Sequence, residues 1–122
     1  MSQINVQLER TEDTMSAYFF VDVLEVTDPD KLARYRERVL ATVERYGGRY
    51  LTVGGRVDSV EGGWQPAFPV MIEFPSLEQG RRWYDSDEYR PLKALRLAAM
   101  KGNACFIEGT PFRTSEPERA AA

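Results

Sequence analysis

Two carboxylates stand where the surrounding residues are apolar. Asp22 interrupts AYFFVDVLEV (17–26), and Glu73 interrupts VMIEF (70–74). A carboxylate in the middle of a buried strand loses hydration, which raises its pKa and suits it to move a proton near neutral pH. Tyr35, Tyr84 and Tyr89 fall on or beside apolar helical stretches, and Arg96 follows on the last of them. As chemistry, Asp22 or Glu73 would be the acid/base of a reaction, and Tyr35, Tyr84 and Arg96 would orient its substrate. The plainer reading pairs the carboxylates with Arg49, Arg56 or Arg96, or sets them at a strand end open to solvent. It makes the tyrosines core residues with a hydroxyl at the rim, and Trp64 and Trp83 packing residues before they are walls of an aromatic site. Sequence alone does not place both carboxylates on one face.

Other chemistry is excluded by what is missing. The 122 residues contain no His and one Cys, Cys105. A Ser-His-Asp or Cys-His system therefore cannot be built, and a transition-metal site would need carboxylates alone. No Asp-rich loop has the spacing for Mg²⁺ or Ca²⁺, and neither Gly54-Gly55 nor Gly62-Gly63 sits in a strand-to-helix phosphate loop. No cofactor and no metal are expected. A net charge of -3 disfavours nucleic acid as a partner. Arg34, Arg36, Arg38 and Arg45, interspersed with Glu37 and Glu44, read as a solvated, salt-bridged helix face. The single Cys, an N-terminus without an apolar run, and apolar stretches no longer than a strand point to a cytoplasmic protein with no membrane span.

The elements that must hold these residues follow from periodicity and breakers. Residues 17–26 are rich in β-branched and aromatic side chains and predict a strand. Asp28-Pro29 starts a helix, in which Leu32, Tyr35, Val39, Val43 and Tyr46 form one apolar face, and Gly47-Gly48 ends it. Residues 49–53 and 57–60 predict strand segments around Gly54-Gly55, either a hairpin or one bent strand. Residues 61–66 are loop, and 70–74 a further strand. Ser76 and Gln79 form a capping box for a second helix, Pro91 forces a separate one over about 91–100, Gly102 closes it, and 103–108 is the last strand. Residues 1–16 read as an N-terminal extension in which Ile4, Val6 and Leu8 alternate, 17–109 as one domain, and 110–122 as a loose tail.

The order β-α-β-β-α-β is the ferredoxin-like arrangement, an α+β fold with an antiparallel sheet. Its central strands are the first and third, the two with apolar residues on both faces: Phe20 and Leu24 against Phe19, Val21 and Val23; Val70, Ile72 and Phe74 against Met71. Helices cover one face of such a sheet, so the other needs a cover, and a second copy is the economical one. A homodimer is expected.

Asp28-Pro29, Tyr35, Tyr46-Gly47-Gly48-Arg49, Gly54-Gly55, Glu61-Gly62 with Trp64 and Pro66, Ile72-Glu73-Phe74-Pro75-Ser76, Trp83-Tyr84-Asp85-Ser86, Glu88-Tyr89, Pro91-Leu92 and Glu108-Gly109 occur in that order. Over residues 17–109 this set resembles the family catalogued as domain of unknown function 1330. The resemblance implies a dimeric α+β barrel, in which two ferredoxin-like sheets pack face to face. It transfers a fold and no reaction. Wider relatives include cofactor-free monooxygenases, lactone isomerases, haem peroxidases and ligand binders, and the absence of His argues against the haem members. Two readings of function stand side by side. One is a metal-free enzyme acting on a small organic molecule by carboxylate acid/base chemistry; the other is a non-catalytic dimeric module that binds or regulates through a small ligand.

Overall fold

The computed structural model describes residues 15–111. The N-terminal extension and the tail expected over 1–16 and 110–122 lie almost wholly outside the described residues. Strand β1 (Ala17–Val26) leads into helix α1 (Pro29–Arg45), whose first turn is capped by Asp28 Oδ1 accepting from Lys31 N–H. Proline at the first helical position removes a donor that would have no partner there. Strands β2 (Arg49–Val53) and β3 (Pro69–Phe74) follow, then helix α2 (Leu77–Tyr84), capped by the Ser76 hydroxyl accepting from Gln79 N–H. A turn at Asp85–Tyr89 separates it from α3 (Arg90–Ala99), which runs straight into β4 (Met100–Glu108). Glu88 in that turn accepts from Arg45 and the Tyr46 hydroxyl, which hold its carboxyl below the ordinary value and tie the turn to the end of α1.

The sheet is four-stranded, in the order β2-β3-β1-β4, and every neighbouring pair is antiparallel. That is the ferredoxin-like α+β fold. Side chains alternate across each strand, so Phe19, Val21, Ile72 and Phe74 face the helices and pack on Leu32, Tyr35, Val39, Val43, Trp83, Tyr89 and Leu92. Tyr18, Phe20, Asp22 and Leu24 of β1 share the opposite face with Met71 and Glu73. That open face keeps apolar side chains in view: Leu24 is 55% and Ile107 52% exposed. No helix of the described residues is long and apolar enough to cross a membrane.

Two element boundaries differ from expectation. Residues 57–60 are not a strand. At Gly54 the backbone turns left-handed (φ +69°) and its N–H donates to the Pro69 carbonyl, so β2 meets β3 directly and 57–60 are left in an exposed loop. Gly102 does not close the last helix but lies inside β4. Ala99 O accepts from Thr27 and Asp28 N–H, locking the helix end onto the end of β1, and β4 begins pairing at once from Met100. Any side chain at Gly102 would run into the Asp22 carbonyl, which is why a glycine stands there.

Candidate functional site

A cavity of about 330 Å³ lies between α1 and the sheet. Its floor is the helix side of three strands, Phe19, Val21 and Val23 from β1, Tyr50 and Val53 from β2, Val70 and Ile72 from β3; its roof is the apolar face of α1. The volume falls within the range of small-molecule sites, roughly 300–1,000 Å³. Most of the wall is aliphatic. Its polar groups are Tyr35, Tyr50, Arg96 and, on the exposed side of α1, Arg36; among the described residues that line it none is Asp or Glu.

These polar groups form a chain from α1 to α3. The Tyr35 and Tyr89 hydroxyls are 3.0 Å apart, and Arg96 donates from Nε to the Tyr89 hydroxyl at 3.1 Å. Arg96 is 4% exposed, yet among the described residues it has no carboxylate partner. Its terminal nitrogens make no hydrogen bond among the described residues, and no buried side-chain nitrogen or oxygen there is unsatisfied, so these nitrogens are not sealed from solvent, and Arg96 is part of the cavity lining. A desolvated cation without a counter-ion costs on the order of several kcal/mol. Its place in the last turn of α3, near the negative end of the helix, offsets part of that cost, as does the Phe19 ring 6.0 Å from its guanidinium carbon. Burial raises the pKa of both Tyr35 and Tyr50 well above the phenol range, each further raised by Tyr89. These phenols stay protonated at neutral pH. They can donate to a ligand oxygen, and none is a general base.

The fold divides the anticipated site residues between two faces. Tyr35 and Arg96 line the cavity. Asp22 and Glu73 do not; they sit on the opposite side of the sheet and so are not brought together with Tyr35 and Arg96. Asp22, 4% exposed, accepts through Oδ1 from the Ala67 and Phe68 N–H groups, both at 2.9 Å. It thereby fixes the loop that carries Phe68 into the cavity wall. Glu73 pairs with Arg49 Nε at 2.7 Å, one of the plainer alternatives. Tyr84 lies outside the cavity, under Lys93 Nζ at 4.0 Å and beside Phe19 and Phe106. Tyr50, which also lines the cavity, is not marked out in the sequence as a site residue. Its one signal was its position as the aromatic of a short alternating strand; whether that side faced a cavity depended on register. Tyr89 was read with the core, where its ring does sit, though its hydroxyl is the link of the chain.

The sheet order, with the helices on one face, defines a ferredoxin-like α+β chain. The chain belongs to the family described as Domain of unknown function (DUF1330), whose model matches residues 16–110. It is similar in structure to a protein of unknown function from Rhodopseudomonas palustris, with a TM-score of 0.62 and 18% identity over 93% of this chain and 95% of that one. SnoaB, a cofactor-independent oxygenase from Streptomyces nogalater, matches with a TM-score of 0.58 and 13% identity over 83% and 99%. A hypothetical protein from Arabidopsis thaliana matches with a TM-score of 0.54 and 11% identity over 83% and 91%. At these identities the likeness is one of fold. Among curated proteins no sequence relative is found.

Proposed function

We propose that this chain is a homodimeric, cytoplasmic protein that binds a small, largely apolar organic molecule in the cavity between α1 and the sheet. The observation that carries this reading is the cavity itself: about 330 Å³ walled by aliphatic and aromatic side chains, with its polar donors gathered at one place. Binding is favoured over acid/base catalysis because no carboxylate lines the cavity and its phenols are held protonated. In this reading Asp22 and Glu73 are frame residues, one fixing the loop beside the cavity and the other pinning β2 to β3. The apolar open face, with Phe20, Leu24, Met71 and Ile107, is covered by the same face of a second copy. The free thiol of Cys105 suits a reducing compartment.

The test is a thermal-shift screen of metabolites on the wild-type protein and on Val39→Phe, which fills the cavity. Ligands that raise Tm in the first and not in the second support the reading. A gain that survives in Val39→Phe moves the site elsewhere. Turnover that disappears in Asp22→Asn or Glu73→Gln with Tm unchanged would give those residues the acid/base role instead. Light scattering checks the dimer, which a stable monomer at micromolar concentration overturns.

A further inference from the structure

Arg96 and the charge pattern around it say more about what the cavity takes. We propose that the ligand is an amphiphilic organic anion, a single carboxylate or enolate-type oxyanion on an apolar body, whose charged oxygen sits against the terminal nitrogens of Arg96. This rests on the binding reading above.

Three independent observations converge on it. First, Arg96 is a nearly fully buried guanidinium whose hydrogen bond among the described residues is the one from Nε to an uncharged hydroxyl. The four remaining N–H groups belong to the planar fork that fits a carboxylate, on a side chain that lines the cavity. Second, the lining is one-signed. It holds Arg96 within and Arg36 on the exposed side of α1, with no Asp or Glu, in a chain whose net charge is -3. Acidic side chains outnumber basic ones overall, and the cavity reverses that balance. Third, the hydroxyls can be oriented consistently toward an acceptor. Arg96 can only donate, so the Tyr89 oxygen accepts from it; if Tyr89 then donates to Tyr35, the Tyr35 proton is free to turn into the cavity. An anion is the ligand that uses both outlets, the Arg96 fork and the Tyr35 hydroxyl. A neutral hydrocarbon would leave the guanidinium desolvated and unpaired, and a cation would be repelled.

Calorimetric titration of the wild-type protein with four probes on one ring frame tests this without any variant: naphthoate, naphthamide, naphthylmethanol and naphthylmethylamine. Naphthoate is expected to bind at least about thirtyfold more tightly than the amide or the alcohol, the amine not at all, since losing one partner of a buried charge pair costs at least that factor. In Arg96→Met, whose side chain keeps the apolar length, naphthoate should fall to the level of the alcohol while the alcohol is unchanged. Arg96→Lys should recover part of the difference, a point charge replacing the fork. Amide and alcohol binding as tightly as naphthoate would overturn the oxyanion proposal and leave the cavity reading standing. If none of the four binds, with octanoate and octanol equally silent, both readings fall. Should Arg96→Met not fold, the wild-type ranking of anion, neutral and cation decides alone.

Discussion

Where β1 begins and β3 and β4 end, the helix-covered side of the sheet is filled with rings. Phe19, Phe74, Trp83, Tyr84, Tyr89 and Phe106 meet with centroids 4.1–6.5 Å apart, several in edge-to-face or tilted pairs, and Trp83 also donates from its indole nitrogen to Thr42 at 3.0 Å. Further along β1, beside the start of β3 and the end of β2, the same side of the same sheet is lined by Val21, Val53, Val70 and Ile72 and left hollow under α1. Both regions draw on the same alternation of strands; Phe19 belongs to both, and Tyr89 of the ring cluster hydrogen-bonds Tyr35 of the cavity wall. The difference lies in what comes down from the helices. The α2 and α3 side brings Trp83 and Tyr89, large planar residues that reach the strands; α1 brings Leu32, Val39 and Tyr35. The solid half supplies stability, and it supports the hollow half from behind through Tyr89 and Arg96. A protein of this size needs nearly all its apolar contacts for stability, so a cavity kept open beside a filled core points to a use for the cavity.

The contrast can be broken at its strong side first. Trp83→Ala should cost about 3–5 kcal/mol and lower Tm by roughly 12 °C or more, measured by calorimetry. A much smaller loss would mean that the ring cluster is not the main support. Asp22→Ala removes the acceptor for two backbone N–H groups and should cost about 2–3 kcal/mol in denaturant unfolding. It should also weaken ligand binding, because Phe68 is released from the cavity wall. Overpacking separates the two halves more finely. A methyl at Gly80 would approach Phe106 to 2.7 Å, so Gly80→Ala should cost about 1–3 kcal/mol, while Val39→Phe on the hollow side should stay within about 1 kcal/mol of wild type. Equal costs at the two positions would erase the distinction.

The smallest effect appears only at alkaline pH. Tyr35 and Tyr50 are held protonated in the fold above the ordinary value of 10.0, so above that pH the unfolded chain has lost protons that the folded one keeps. Stability is full below pH 10 and falls as pH rises beyond it, by about 1.4 kcal/mol per pH unit for each tyrosine. Tyr35→Phe should make this alkaline slope shallower by one proton, read from denaturant midpoints across that range. An unchanged slope would mean the Tyr35 hydroxyl is not shut away from solvent as the cavity requires.

What sequence by itself determined was the frame. Asp28-Pro29 and Ser76 with Gln79 fix helix starts through local hydrogen bonds, and period-two or period-four apolar spacing names the elements without reference to anything distant. The central place of β1 and β3 also follows from their apolar residues on both parities, since these strands have neighbours on both edges. Residues 57–60 and Gly102 were misread for the same reason in reverse. Their state is decided by Gly54 donating to Pro69 and by Ala99 holding the end of β1, contacts made across the chain.

The site depended even more on contacts of that kind. Asp22 and Glu73 stood out because each breaks an apolar run, but a one-residue step along a strand moves a side chain to the other face. Register placed both away from the cavity, and a loop more than forty residues away took up the Asp22 carboxylate. Arg96 and Tyr35 were legible as residue types on apolar helices. That the guanidinium is buried without a counter-ion among the described residues, beside a void, could not be read from them, because it depends on what neighbours from five other elements fail to supply. Chemistry at the level of residue types is local, whereas a site is a statement about which groups are absent as much as which are present, and only tertiary packing decides that.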